Sequence, residues 1–185
     1  MERLKEKYNK EVVPEMIKRF GYKNKMAVPS IKKVVLNSCF GKEAVNKTGG
    51  ERAKMYDLIS QDLSLIAGQK TTLVKSKKSI SGFKLREGLE IAAVVTLRKD
   101  RMWDFLERLI YLSLPRSRDF KGIDPKCIDK HGNMSIGFKE HIMFPEIFTE
   151  KEKTIFGLQV TISTNAKSKE EGLALYKLLG FPIKD

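Results

Sequence analysis

Thr71-Thr-Leu-Val74, then Lys75-Ser-Lys-Lys-Ser-Ile-Ser-Gly-Phe-Lys-Leu-Arg86, then Leu89-Glu-Ile-Ala-Ala-Val-Val-Thr-Leu-Arg98 is the stretch on which the fold turns. A short β-prone run and a longer apolar strand candidate flank a connection far longer than an ordinary hairpin loop, and connections of that length tend to be functional or disordered. The connection holds five cations in twelve residues and no acid. Lys and Arg supply charge for phosphates, Ser hydroxyls can hydrogen-bond phosphate or sugar, and Phe83 offers a face for a base. Composition favours a nucleic-acid contact over a solvated basic loop.

Working outward, Leu4, Tyr8, Val12, Met16 and Phe20 recur every four residues as a helix stripe would. Pro14, which has no N–H to donate, starts a second helical piece or kinks the first. Ile31–Cys39 reads as a strand. Met55, Leu58, Ile59, Leu63 and Ile66 form a second helical stripe, with Gly68 placed to stop it. In the strand after the basic connection, Ile91, Ala93, Val95 and Leu97 share one face. Asp100 is placed to cap a helix carrying Met102, Phe105, Leu106, Leu109 and Ile110, which Pro115 ends. Residues 115–133 read as irregular. Met134–Phe138 is a short strand candidate, followed by a charged loop, and Leu158, Val160 and Ile162 mark a half-buried strand. Ser168 and Glu171 form a capping box for a last helix with Leu175, Leu178 and Leu179, closed by Gly180 and Pro182. Five strands mixed with about four helices, without a strict βαβ rhythm, predict a single α+β domain over residues 1–185 with a largely antiparallel sheet.

The charge is directional. The chain carries a net +13 over 185 residues. Residues 1–100 hold 22 basic and 11 acidic residues, a net +11, whereas 101–185 hold 14 and 12, a net +2. Such asymmetry points to an electrostatic face for phosphate on one part of the molecule. The C-terminal part should face protein or solvent. No apolar run approaches the ~20 residues of a membrane helix, and the N-terminus has no apolar signal-type stretch. Two cysteines, Cys39 and Cys127, suit a reducing, cytoplasmic compartment.

Two strands carry polar residues in unusual places. Asn37 shares a strand face with Lys33, and Thr96 with Arg98. These would present cations beside short hydrogen-bonding groups, as RNA docking requires. Alternatively, Asn37 simply ends its strand at a turn. Catalytic readings find little support. There is no phosphate-binding loop around Gly41-Lys42. Cys127, Asp129, His131 and His141 have metal-ligand character but loose spacing, and read as exposed loop side chains. Neither cysteine has a recognisable His–acid arrangement. No enzyme, cofactor, metal, small-molecule substrate or membrane is implied.

An ordered set of segments spans almost the whole chain: Arg3-Leu-Lys-Glu-Lys-Tyr8, Glu11-Val-Val-Pro14, Phe20-Gly-Tyr-Lys23, Leu65-Ile-Ala-Gly-Gln-Lys70, Lys77-Lys-Ser-Ile-Ser-Gly-Phe-Lys-Leu-Arg-Glu-Gly88, Val95-Thr-Leu-Arg98, Leu114-Pro-Arg-Ser-Arg-Asp-Phe-Lys-Gly122, Phe144-Pro-Glu-Ile147 and Leu178-Leu-Gly-Phe-Pro182. Together they resemble the bacterial-type large-subunit ribosomal protein five family, the 5S rRNA-binding proteins of the central protuberance. The resemblance implies a non-enzymatic role in the large ribosomal subunit, attaching 5S rRNA through the sheet face. Positions matching the family's RNA-contacting residues are Asn37, Gln69 and Thr96, with Lys33 and Arg98 beside them. It further implies that Lys75, Lys77, Lys78, Ser79, Gly82, Phe83, Lys84 and Arg86 reach toward large-subunit rRNA and P-site tRNA. A bridge to small-subunit head protein thirteen would fall around Arg116, Arg118, Lys139 and His141.

The chain also departs from the family's pattern. Ser38-Cys39-Phe40-Gly41 stands where Met-Gly-Val-Gly is usual, and Thr71 where Pro is usual after Gly-Gln-Lys. Asn46–Lys54, with Gly49-Gly50, suggests an enlarged surface loop. His141 stands where Gln is common. Phe83 either stacks on a base or pins the loop to the apolar strand, and the residues slightly favour pinning. The competing readings are a basic protein–protein adaptor without RNA selectivity and a metal-dependent nuclease, which would need a bound divalent ion.

Overall fold

The structure is a computed structural model that describes residues 3–118, 120–147 and 155–184. Met1, Glu2, Asp119, the charged segment 148–154 and Asp185 lie outside the described residues. The fold is α+β. Strands β1 (Ile31–Cys39), β2 (Thr72–Lys75), β3 (Glu90–Leu97), β4 (Met134–Phe138) and β5 (Leu158–Thr164) form a five-stranded antiparallel sheet in the order β2-β3-β1-β5-β4. Among the described residues five helices longer than a single 3₁₀ turn accompany it: α1 (residues 4–20), α2 (Gly41–Asn46), α3 (Gly49–Ala67), α4 (residues 99–116) and α5 (Lys169–Leu179). The chain packs as two compact units. One is Met1–Val34, Leu97–Ile136 and Thr161–Asp185; the other is Val35–Thr96 and Gly137–Val160.

In the first unit α1 packs on α4 and α5. The predicted stripe is real: Leu4, Val12 and Met16 are fully buried. The Tyr8 ring lies 5.4 Å from that of Trp103, and its hydroxyl donates to Pro29 O at 3.0 Å. Pro14 lies in the first turn of a second helical piece, the first of the two outcomes expected of it. A π turn over Tyr8–Val12 precedes an α segment that begins at Val13, with Val13 N–H bonded to Tyr8 O. The wider turn gives room where the proline ring would otherwise press on the carbonyl four residues back. The same device recurs in α4. A π turn over Leu109–Ser113 leads into a last turn over Leu114–Arg116, and the helix ends one residue past Pro115, where the sequence predicts its end to within a residue. Asp100 is not a cap either. Arg98 holds the N-cap position without a side-chain bond, and Asp100 in the first turn pairs with Lys5 at 2.7 Å. That ammonium holds the Asp100 carboxyl below the usual carboxylate range.

Helix α5 starts as predicted: Ser168 Oγ accepts from Glu171 N–H at 3.3 Å. The Glu171 carboxylate reaches back one residue further than a standard capping box, to Lys167 N–H at 2.8 Å. A glycine inside this helix, Gly172, costs helix stability by itself, and the reason for it is a backbone-to-backbone contact. A Cβ on Gly172 would sit 2.5 Å from Gly132 Cα and 3.0 Å from Gly132 O. Gly132 is itself at φ +72°, and its carbonyl accepts from Thr164 Oγ1 at 3.0 Å and from Tyr176 OH at 3.1 Å. Asp129 shapes the same turn, its Oδ1 accepting from the N–H groups of His131 and Asn133 at 2.8 Å. Desolvation pushes the Asp129 carboxyl up, but the hydrogen bonds from Asn133 and His131 outweigh it and hold the group below its ordinary value.

In the second unit the strand leaves β1 directly into α2. The buried Phe40 anchors the exit: its N–H donates to Ile91 O at 2.9 Å and its ring lies 5.4 Å from that of Tyr56. Tyr56 OH in turn donates to Glu90 O at 2.9 Å, tying α3 to β3. The buried Ser38 hydroxyl donates to Gly157 O at 2.9 Å. The Ser38-Cys39-Phe40 departure thus supplies two anchors. The enlarged loop expected over Asn46–Lys54 is mostly helix, because α3 begins at Gly49, with Glu51 in its first turn favouring the helix N-terminus.

Two outcomes are expected from this packing. Gly172→Ala should lower the unfolding free energy in urea by about 1–3 kcal/mol, as overpacking does. Asp129→Ala should destabilise the protein at neutral pH. Because the folded-state carboxyl is depressed, its contribution is complete above the unfolded value of about 3.9. The stability gap between wild type and variant should therefore close as pH falls below about 4.

Candidate nucleic-acid interface

The sheet has one dry face and one half-open face. Along β1, Val34, Leu36 and Ser38 are fully buried, whereas Lys33, Val35 and Asn37 are half-exposed. Along β3, Ala93, Val95 and Leu97 are buried and Val94 and Thr96 are half-exposed. β2 pairs antiparallel with β3, Thr72 opposite Val94 and Val74 opposite Ala92, so exposed Thr72 and Val74 join the face of Thr96. Sequence reading misses these two residues. The signal that finds them is period-two alternation, too short in a four-residue strand to stand out.

Asn37 therefore sits mid-strand and does not end β1 at a turn. Its Oδ1 is shielded from solvent and has no hydrogen-bond partner among the described residues. A buried acceptor left this way costs about 1–3 kcal/mol. Gln69 follows the left-handed Gly68 that ends α3, and its Nε2 donates to Thr96 O at 3.4 Å. The second unit thus assembles Asn37 and Thr96 on neighbouring strands, with the Gln69 amide on the Thr96 backbone. Lys33 and Arg98 belong to the first unit, Lys33 half-exposed and Arg98 exposed.

The basic connection is a structured hairpin. Ser76 N–H donates to Leu89 O at 2.7 Å, and Gly88 N–H to Ser76 O at 3.0 Å. Further out, Ile80 and Leu85 exchange both backbone bonds, at 2.9 and 3.1 Å. Serine hydroxyls stabilise the arm: Ser76 Oγ donates to Lys78 O at 2.8 Å, and Ser79 Oγ accepts from Glu87 N–H at 2.9 Å. The tip is a 3₁₀ turn over Ser81–Phe83, closed by Lys84 in the left-handed region at φ +51°. A non-glycine residue held there is strained, and such strain gathers at functional sites. Lys75, Lys77, Lys78, Lys84 and Arg86 are all exposed. Phe83 is 75% exposed, so it does not pin the arm to the strand, and Ile80 beside it is 45% exposed. An apolar tip is thus ringed by cations.

Of the expected protein-contact residues, Arg116, Arg118 and Lys139 are exposed. His141 is not. It is fully buried, its ring stacked 3.8 Å from that of Phe156 and its Nδ1 accepting from Phe156 N–H at 3.3 Å. A ring so enclosed has no surface to offer a partner, and the exposed-loop reading of this histidine is likewise overturned. Asp129 and His131 are exposed, as that reading holds.

Comparison with known proteins adds a second, independent line. Residues 24–86 match the family described as "Ribosomal protein L5", and residues 90–183 match the C-terminal part of that same ribosomal protein family. The large ribosomal subunit protein uL5 of Geotalea uraniireducens (strain Rf4) is 50% identical over 185 residues, covering 100% of both chains. That of Desulforapulum autotrophicum is 51% identical over the same length and coverage. The large ribosomal subunit protein uL5c of Tetradesmus obliquus is 49% identical over 183 residues, 99% of this chain and 98% of its own.

The hairpin geometry makes a stability prediction. Phe83→Ala should shift the unfolding free energy by no more than about 0.5 kcal/mol, as exposed positions do. Ser76→Ala, which removes a buried hydroxyl from the base of the arm, should cost about 1 kcal/mol. Urea titration of both variants measures the difference.

Proposed function

We propose that this chain, which belongs to the ribosomal protein L5 family and is thereby a structural, non-catalytic constituent of the large ribosomal subunit, binds 5S rRNA through the half-open face of its sheet. The observation that carries the reading is Asn37: a shielded amide oxygen without a partner among the described residues, on a strand beside Thr96 and Gln69. Turning the amide of this half-exposed side chain would bring the oxygen to an RNA 2′-hydroxyl or base amino group. The exposed cations of the hairpin neutralise backbone phosphates, either of large-subunit rRNA or of P-site tRNA, and Phe83 stacks on a base at the tip. Exposed Arg116, Arg118 and Lys139 face the small-subunit head protein thirteen in the bridging role, without His141.

The test is equilibrium binding to 5S rRNA and to an unrelated structured RNA of equal length across a salt series. Wild type should prefer 5S rRNA. Asn37→Ala should weaken that complex by about 1–3 kcal/mol, the cost of a directional contact. Lys77→Ala/Lys78→Ala should either flatten the salt slope by about 0.9 for each phosphate no longer neutralised, or leave 5S binding intact if the arm serves tRNA. Equal, weak binding to both RNAs would sink the 5S assignment and favour an adaptor that binds acidic protein.

A further inference from the structure

The connection from α3 to β2 is four residues long, Gly68 to Thr71, and it is fastened on both sides. On one side Gly68, at φ +64°, ends the helix. On the other the buried Thr71 turns back onto the helix it has just left. Its N–H donates to Ser64 Oγ at 3.2 Å, and its hydroxyl meets Ser60 Oγ and donates to Ser60 O at 3.2 Å. Ser64 Oγ completes the cluster by donating to Ser60 O at 2.6 Å. Ser60 and Ser64 are four residues apart and so lie on one helix face.

A buried threonine has two donors to satisfy, its hydroxyl and its backbone N–H, and this cluster meets both from a single helix face, so the backbone as well as the side chain of Thr71 is tied to α3. The residue between the two fastenings that carries a long amide is Gln69, already held at its far end by Thr96 O. Pinning a short segment at both ends removes backbone freedom that binding would otherwise have to remove, so contacts made from it are stronger. We infer that the Ser60–Ser64–Thr71 cluster is a positioning device that fixes Gln69 for RNA contact. The inference rests on the proposed binding of 5S rRNA by the sheet face.

The experiment is a double-mutant cycle on 5S rRNA affinity, using the full chain and the control RNA alongside. Thr71→Val removes the hydroxyl at nearly constant volume, and Gln69→Ala removes the positioned amide. Thr71→Val alone should weaken 5S binding about five- to tenfold, and Ser64→Ala similarly, a loss of the size of one hydrogen bond. In the Gln69→Ala background Thr71→Val should change affinity by less than about twofold, because neighbours acting through one contact are not additive. Thr71→Ser keeps both donors and should bind as wild type does. Thermal melts of each variant identify any that fail to fold, and Ser64→Ala is the independent reading if Thr71→Val is one of them. Full additivity, or unchanged affinity on removing the cluster, would overturn the positioning role while 5S preference stands. So would a Gln69→Ala variant that binds normally while Asn37→Ala does not. If wild type shows no 5S preference at all, the 5S reading falls and the positioning role with it.

Discussion

A sheet that must keep one face dry leaves the chain little choice about the other. Each step along a strand reverses the side a residue faces, so burying Leu36 and Ser38 turns Asn37 to the half-open side. β3 obeys the same rule, with Val95 and Leu97 buried and Thr96 between them turned out. A slip of one residue in either strand would bury an amide or hydroxyl and expose a leucine or valine. The polar groups of the candidate interface are therefore held in register by the apolar residues on either side of them. The hydrophobic effect sets the geometry of a polar site.

Much of this is legible in the sequence because periodicity is a direct record of burial. The stripe in α1, the alternation in β3 and β5 and the Ser168 cap appear as read, and so does the stripe in α3 except at Leu58, which is 46% exposed. What escapes reading depends on partners distant in sequence. Asp100 looks like a cap until Lys5, 95 positions away, is brought to it. Gly49-Gly50 resembles a loop because propensity cannot foresee the tertiary contacts that make a helix there worthwhile. The prolines of α1 and α4 mark the joints in their helices but not the kind of turn that precedes them. A local rule about the missing N–H holds for an α-helix, and the chain avoids its consequence by changing the kind of turn.

The candidate site divides in the same way. Asn37 and Thr96 lie half-exposed on their strands and the five hairpin cations lie exposed, where pattern and charge put them. Gln69 can be singled out only through family resemblance, since nothing in its local sequence reports the carbonyl it reaches. His141 and Phe83 each defeat sequence reading because an isolated ring carries no signal of its surroundings. One finds Phe156 and disappears into the packing, and the other finds nothing and stays out. The serines of the basic arm read as ligands for phosphate, yet Ser76 and Ser79 hold the arm's own backbone.

The two π turns make certain lengths of chain unexpectedly intolerant of editing. Each places one extra residue in its helix just upstream of a proline, at Tyr8–Val12 before Pro14 and at Leu109–Ser113 before Pro115. Removing a single residue there would restore an ordinary helical ladder, which elsewhere is a mild change. Here it would drive the proline ring into a backbone carbonyl and rotate every later residue of the helix by about 100°. In α1 that rotation would carry Met16 out of the core. Single-residue deletions in these two turns should thus be rarer among functional descendants of this chain than substitutions at the same positions, although the turns contain several exposed side chains.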